Sequence, residues 1–222
     1  MPTPFTVLTW NVGNGLAKPD RLTAALRDSS ADIIGLEELS EEQAAALEAG
    51  LADLYPWRVL FGRGIPGKGI LSRFPIHDQK QLSFHPKRPD LHAQVEREGG
   101  LMHVIVVHPP PPAPQEINAR ARQMAEISKL VNLPDPVVLM GDMNMTHWQQ
   151  AYHELLNAGL LDAFAEAGRG SSLTFPTRRG SLPLLPMIRL DYIFHSTELT
   201  ALEAWVGADG GSDHLPLFAR FC

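Results

Sequence analysis

At 222 residues, with 44% apolar and 20% charged side chains, the chain is long and apolar enough to bury a sizeable core. Its single cysteine, Cys222, excludes an intramolecular disulfide and a thiol-rich zinc site. A formal net charge of −6 speaks against the basic surface of a nonspecific DNA binder, and no basic, apolar leader or membrane-length apolar run is present, so a cytoplasmic monomer without a transmembrane segment is expected.

Residues 5–10 combine Phe, Thr, Val, Leu and Trp and predict a strand. Helical spacing of Leu22, Ala25 and Leu26 marks a helix over 19–28. Residues 32–36 read as a short buried strand, and Ser40-Glu41-Glu42-Gln43 has the capping-box pattern that opens a helix reaching residue 54. Short strands joined by Gly/Pro turns follow at 57–61, 69–72 and 80–84, then a continuous apolar strand at 101–107. Residues 115–131 read as a helix with Ile117, Met124, Ile127, Leu130 and Val131 on one face. Another buried strand at 137–140 precedes a helix over 148–158, closed by Gly159, and strands at 190–195, 199–206 and 215–221 end the chain. This order suits two packed sheets with helices outside. No repeat or low-complexity linker interrupts it, so a single domain over residues 1–222 is expected, with the proline-rich 109–114 as a rigid loop.

Five short polar signatures sit where a strand ends or begins: Trp10-Asn11-Val12-Gly13, Leu36-Glu37-Glu38, His108-Pro109-Pro110, Gly141-Asp142-Met143-Asn144 and Ser212-Asp213-His214. A sixth, Arg189-Leu190-Asp191-Tyr192, opens another strand. Carboxylates, amides and two imidazoles beside apolar strand cores suit a hard divalent cation, a bound water and a phosphoryl group. Each signature also has a plainer reading. Asp142 and Asn144 can form a turn before a helix, and Asp213-His214 a turn before an edge strand. Asp191 can pair with Arg189, Glu38 can favour a helix start, and Asn11 can be a turn residue. The functional readings give Asp142 the orientation or deprotonation of water and Asn144 a phosphoryl oxygen. They make His214 a general base whose tautomer Asp191 fixes, Glu38 a metal ligand with Asp213 helping, and Asn11 an oxygen ligand. His108 ends the run Val104-Ile105-Val106-Val107, where a polar ring needs a partner or a role; protonation of a leaving oxygen is the role expected.

Substrate contacts are expected from Lys68 in the Gly-rich loop 62–68, from Arg178 and Arg179 in the loop 177–180, and from His147, three residues past Asn144. The run Leu182-Pro183-Leu184-Leu185-Pro186-Met187 reads either as a core-packed loop or as a surface for the apolar part of an amphiphilic or aromatic ester.

Taken in order, Asn11, residues 32–38, Gly141-Asp142-Met143-Asn144, Leu190-Asp191-Tyr192-Ile193 and Ser212-Asp213-His214-Leu215-Pro216 resemble the motifs of the endonuclease/exonuclease/phosphatase superfamily across nearly the whole chain. The residues 69–76 and Arg120-Ala121-Arg122-Gln123 are softer matches. The resemblance implies an α/β four-layer sandwich, two packed mixed β-sheets flanked by helices. It implies magnesium or manganese at Glu38 with Asn11 and Asp213 near it, His214 as base oriented by Asp191, and Asp142 and Asn144 around the nucleophile and phosphoryl group. His108 matches the catalytic histidine of deoxyribonuclease-like members. Residues 108–112 and 144–148 look most like a bacterial branch that includes polyprenyl-diphosphate phosphatases. The family's usual Gln before the metal-binding Glu is Glu37 here, which adds a negative charge. The expectation is therefore a divalent-metal-dependent phosphoesterase, cleaving phosphodiesters first. The alternatives are a phosphomonoesterase or pyrophosphatase on an amphiphilic ester, or a nuclease. A non-enzymatic binding module is disfavoured because no core position is missing. The expected partner is a small or amphiphilic phosphate ester, with only weak binding of nucleic acid.

Overall fold

In a computed structural model that describes residues 3–222, the chain begins β1 (Phe5–Asn11), α1 (Pro19–Asp28), β2 (Ile33–Glu37), α2 (Glu41–Gly50), β3 (Trp57–Phe61) and β4 (Lys68–Ser72). It continues β5 (Ile76–Leu82), β6 (Asp90–Arg97), β7 (Gly100–Val106), α3 (Ile117–Lys129) with a 3-10 turn at Leu130–Asn132, β8 (Val137–Asp142) and α4 (Gln150–Asn157). The last third holds β9 (Leu161–Asp162), α5 (Ala163–Ala167), β10 (Gly168–Arg169), β11 (Arg178–Arg179), β12 (Leu182–Pro183), β13 (Asp191–His195), β14 (Ala201–Val206) and β15 (Leu217–Phe221).

Two large sheets result, a seven-stranded one in the order β10-β14-β15-β1-β2-β4-β3 and a six-stranded one in the order β5-β6-β7-β8-β13-β9. Both are mixed: β1 runs parallel to β2 and antiparallel to β15, while β7 runs parallel to β8 and β8 antiparallel to β13. The central strands are mostly apolar and almost wholly buried because both of their faces are covered. Successive side chains point to opposite faces. Thus Val7, Ile33, Val104, Val106, Val138 and Met140 meet between the sheets. Leu8 and Ile34 instead face Leu22 and Leu26 of α1 and Leu47 of α2. On the far side, Ile105 and Leu139 face Met124 and Ile127 of α3 and Leu155 of α4. The layers run helix, sheet, sheet, helix. No helix among the described residues is long and apolar enough to cross a membrane.

The capping box forms as expected, with Gln43 donating from its backbone to Ser40 and its side chain accepting from the Ser40 backbone. The same Gln43 amide donates to Val12 O at 3.1 Å and Ala17 O at 2.8 Å, which ties the loop after β1 to α2. Three expectations shift. Helix α2 ends at Gly50, four residues short of residue 54, because the chain turns so that buried Tyr55 can donate to Ala31 O at 2.9 Å. The strand expected at 80–84 is β5, at Ile76–Leu82. Strand β6 was not expected at all. Its Leu91, Ala93 and Val95 fill the core, but they alternate with Asp90, His92 and Gln94, two of which are buried polar groups.

Candidate active site

Strands β1, β2, β7 and β8 end, and β13 begins, at one edge of the sandwich, so their polar terminal residues converge. Asn11 closes β1; its Oδ1 accepts from Gly13 N at 3.0 Å and its Nδ2 donates to Asp142 Oδ2 at 3.0 Å. Past β2, Glu38 takes a left-handed backbone conformation, φ 53°, which turns its carboxylate toward the cavity while Glu37 stays buried. Asp142 ends β8 and accepts from Asn144 N at 2.9 Å, an Asx turn, and Asn144 in turn donates to Pro109 O at 3.1 Å. Just before it, Gly141 has φ 144°, and a Cβ there would lie 2.0 Å from Val107 O, so only glycine allows β8 to pass this close to the start of the His108 loop. Arg120 clamps the two loops by donating to Pro110 O at 2.6 Å and Met143 O at 2.9 Å.

His214 is delivered by the loop before β15. Trp10 Nε1 donates to His214 O at 2.9 Å, and Ser212 Oγ bridges Asn11 O at 2.6 Å and His214 N at 3.3 Å. The ring's Nδ1–H donates to Asp191 Oδ2 at 2.9 Å, and its Nε2 lies 3.6 Å from Asp142 Oδ2. His108 Nε2 approaches the same Asp142 oxygen from the other side, at 3.5 Å.

These groups surround a cavity of about 240 Å³ lined by Asn11, Glu38, Arg88, His108, Asp142, Asn144, Asp213 and His214, with Ile65, Pro111, Phe175 and Leu190 as its apolar wall. Four of the five expected catalytic residues line it, and the fifth, Asp191, lies buried behind His214. All three expected metal ligands, Glu38, Asn11 and Asp213, line it as well.

The four expected substrate contacts do not. Lys68 is not a loop residue but the first residue of β4, paired across the sheet with Glu37 and 2% exposed. Arg178 donates to Ser212 O at 3.0 Å and pairs with Asp209 at 3.3 Å. Arg179 is exposed on the β11–β12 hairpin, outside the cavity lining. His147 lies against Trp148, ring centroids 4.1 Å apart and the planes tilted by 41°, in a separate cleft. Composition marked these cations, but register and ion pairing decide where each one points.

The residues missed are informative. Arg88 lines the cavity with Nη1 3.4 Å from His108 Nε2, and nothing in His85-Pro86-Lys87-Arg88-Pro89 distinguishes it from a solvated loop cation. Asp90 accepts from His108 N at 3.2 Å and from Gln123 Nε2 at 2.9 Å, beneath the site. The resemblance of residues 120–123 was the one signal for Arg120 and Gln123.

Charge is arranged unevenly. Burial alone would lower the His214 pKa, but Asp191 and Asp142, with Asp213, outweigh it and push it up to about 10. Burial, then Lys68, Arg88 and His214, pushes His108 well below the usual histidine range. A lowered pKa weighs against the acid role expected of His108. Burial raises Asp142 to about 6. Burial and the charge of Asp191 push Glu37 well above the carboxylate range, while Thr9 Oγ1 donates to it at 2.9 Å. The negative charge expected at Glu37 is thus opposed by its burial and by Asp191, and favoured by Thr9 and Lys68.

The donor set suits a hard cation. Glu38 and Asp213 are carboxylates on one cavity wall beside the Asn11 amide, no thiol is near, and burial with Asp213's charge raises the Glu38 pKa. A second grouping, Asp142, Asp191 and His214, has potential ligand atoms within 4.8 Å of one another. Within that trio Asp191 and His214 are already joined by a hydrogen bond of 2.9 Å.

Several solved structures share the fold. A TDP2 from D. rerio humanized by 14 mutations aligns with a TM-score of 0.79 at 20% identity over 99% of each chain. An endonuclease/exonuclease/phosphatase from Bacteroides vulgatus aligns with a TM-score of 0.80 at 20% identity over 99% of each chain. The D. rerio TDP2 complexed with a single-strand DNA product gives 0.79 at 19% identity, again over 99% of each chain. No curated protein sequence matches the chain. Residues 8–214 match the sequence profile of the Endonuclease/Exonuclease/phosphatase family, a span that runs from β1 to His214. The chain belongs to that family and has its fold, that of metal-dependent hydrolases acting on phosphate esters.

Proposed function

We propose that residues 1–222 form one catalytic domain that hydrolyses phosphodiesters with a divalent metal, magnesium or manganese. The supporting observation is the His214 ring, pinned at Nδ1 by Asp191 with Nε2 turned to Asp142 and the cavity. Glu38, Asn11 and Asp213 would hold the cation, which would polarise a phosphoryl oxygen and offset the charge that builds up during attack. Asp142 and Asn144 orient the attacking water, and His214 Nε2 takes its proton. The carboxylates that aim this ring also hold a proton on it, so it acts as base once their charge is engaged by other positive charge. Water oxygen bonds to phosphorus as the bond to the leaving oxygen breaks, and His108, whose Nε2 accepts from Arg88, holds that guanidinium at the cavity.

An amphiphilic ester is the favoured substrate, as handled by the branch with polyprenyl-diphosphate phosphatases. Leu185 is 87% exposed, Trp148 75%, Met187 69% and Leu182 67%, an exposed apolar surface outside the cavity lining. A second reading is cleavage at single-stranded nucleic-acid ends, favoured by the D. rerio TDP2 product complex and by the exposed Trp148 as a stacking platform. Against it stands the net charge of −6.

The test is hydrolysis of bis(p-nitrophenyl) phosphate, a prenyl diphosphate and a single-stranded oligonucleotide, with added metal and after chelation. Activity should vanish in chelator and return with magnesium or manganese. Full activity after metal stripping would sink the reading, and faster turnover of the oligonucleotide would favour the nuclease.

A further inference from the structure

Arg88 is the one permanently cationic side chain lining the cavity among the described residues, where it faces a wall that carries Glu38, Asp142 and Asp213. It forms no salt bridge among those residues. Its single side-chain hydrogen-bond contact is Nη1 to His108 Nε2 at 3.4 Å. A guanidinium has five N–H donors in a rigid fork, so most of this one remains available.

The loop that presents Arg88 is anchored at both ends. Arg88 N donates to His85 O at 3.4 Å, and Lys87 N donates to the His85 ring at 3.2 Å, which closes a turn. The buried His85 ring meets Glu116 at 3.1 Å. On the other side, Pro89 fixes the backbone and Asp90 is held at the start of β6 by His108 N and Gln123. The guanidinium is therefore held beside the reacting end of the cavity by a prepaid conformation rather than swinging from a mobile loop. Lys68, Arg178 and Arg179, the cations composition suggests, are buried, paired or outside.

A phosphodiester brings two non-bridging oxygens and one negative charge. A terminal phosphoryl group brings three oxygens and, near neutral pH, close to two charges. A forked cation gains more from the second, and three carboxylates repel the second more. We propose that Arg88 binds the non-bridging oxygens of the substrate phosphoryl group and so admits terminal, dianionic phosphates alongside diesters. This deepens the phosphoesterase reading and rests on it for the catalytic half of the test.

The experiment compares wild type with Arg88→Ala and Arg88→Lys on p-nitrophenyl phosphate and bis(p-nitrophenyl) phosphate, which share a leaving group and differ in charge. A direct arm measures binding of inorganic phosphate by calorimetry in excess chelator. For Arg88→Ala, kcat/KM on the monoester should fall about 100-fold, with part of the loss in KM, and on the diester about tenfold or less. Arg88→Lys should restore part of the monoester loss, because it keeps the charge and loses the fork. Phosphate affinity should drop about tenfold in Arg88→Ala. Equal losses on the two esters, or unchanged phosphate affinity, would overturn the assignment. Should Arg88→Ala fail to fold, Arg88→Lys carries the same comparison. A wild type inert on both esters with metal, yet binding phosphate through Arg88, would overturn the phosphoesterase reading and leave the anion site standing.

Discussion

His214 and His108 flank one carboxylate, 3.6 and 3.5 Å from Asp142 Oδ2, and both are almost fully buried, yet their pKa values move in opposite directions. Desolvation works against the proton in each. At His214 it loses to Asp191, Asp142 and Asp213, and the pKa rises to about 10. At His108 it is reinforced by Lys68, Arg88 and His214, and the pKa falls well below the ordinary value. One end of the cavity thus stores a proton and the other excludes one. The outer face of the second sheet repeats the second case without any chemistry. There His92 and His103 share a hydrogen bond of 2.9 Å, and burial followed by the neighbouring ring lowers His92 to about 4. The partners around an imidazole, more than its depth, decide what it can do.

The largest effect should come from removing the charged ring. His214→Ala should lower kcat by about 10²–10⁴ on every ester tested, the usual worth of a positioned acid–base group. Asp191→Asn should cost less, about tenfold to 100-fold, while moving the His214 pKa down from about 10 toward the ordinary histidine value, readable by NMR titration. A ring that stayed near 10 without Asp191 would break the account of how the two ends differ. His108→Ala should cost about tenfold or more, with the same factor across a series of leaving groups, since a ring of lowered pKa whose Nε2 accepts from Arg88 supplies no proton. A loss that grew with leaving-group basicity would restore the acid role.

The smallest effect concerns stability, away from the cavity. Between about pH 6.5 and about pH 4 the unfolded chain binds a proton at His92 that the folded ring refuses. The unfolded state then carries more protons, so the folded state loses stability as the pH falls through that window. Lys80 and the second ring oppose charging of His92 and Asp78 favours it, while His103 Nε2 has Asp135 at 3.7 Å. Chemical denaturation at a series of pH values should show a shallower slope in His92→Gln than in wild type.

Much of the architecture was legible because buried strands such as Val137–Asp142 announce themselves as apolar runs that stop at a polar residue. For the same reason much of the candidate site was legible: Asn11, Glu38, His108, Asp142 and Asp191 all stand at such boundaries. What could not be read was anything set by pairing across space. Lys68 looks like a loop cation until β4 is laid beside β2, where it faces Glu37. Glu37 looks like an added charge until it is buried with Thr9 and Asp191 around it. Arg88 looks solvated until His85 and Asp90 are seen to anchor its loop. Strand β6 hid because its buried polar residues broke the apolar alternation.

Asp142 and Asp191 are direct cross-strand partners in the β8–β13 ladder. Their spacing is inherited from sheet register, which a buried face enforces strongly, and not from any loop. These two carboxylates are thus insulated from the segments that supply Arg88 and Phe175 to the cavity. Those segments become interchangeable parts: transplanting them from a relative should retarget the substrate while the ladder keeps the carboxylates in place.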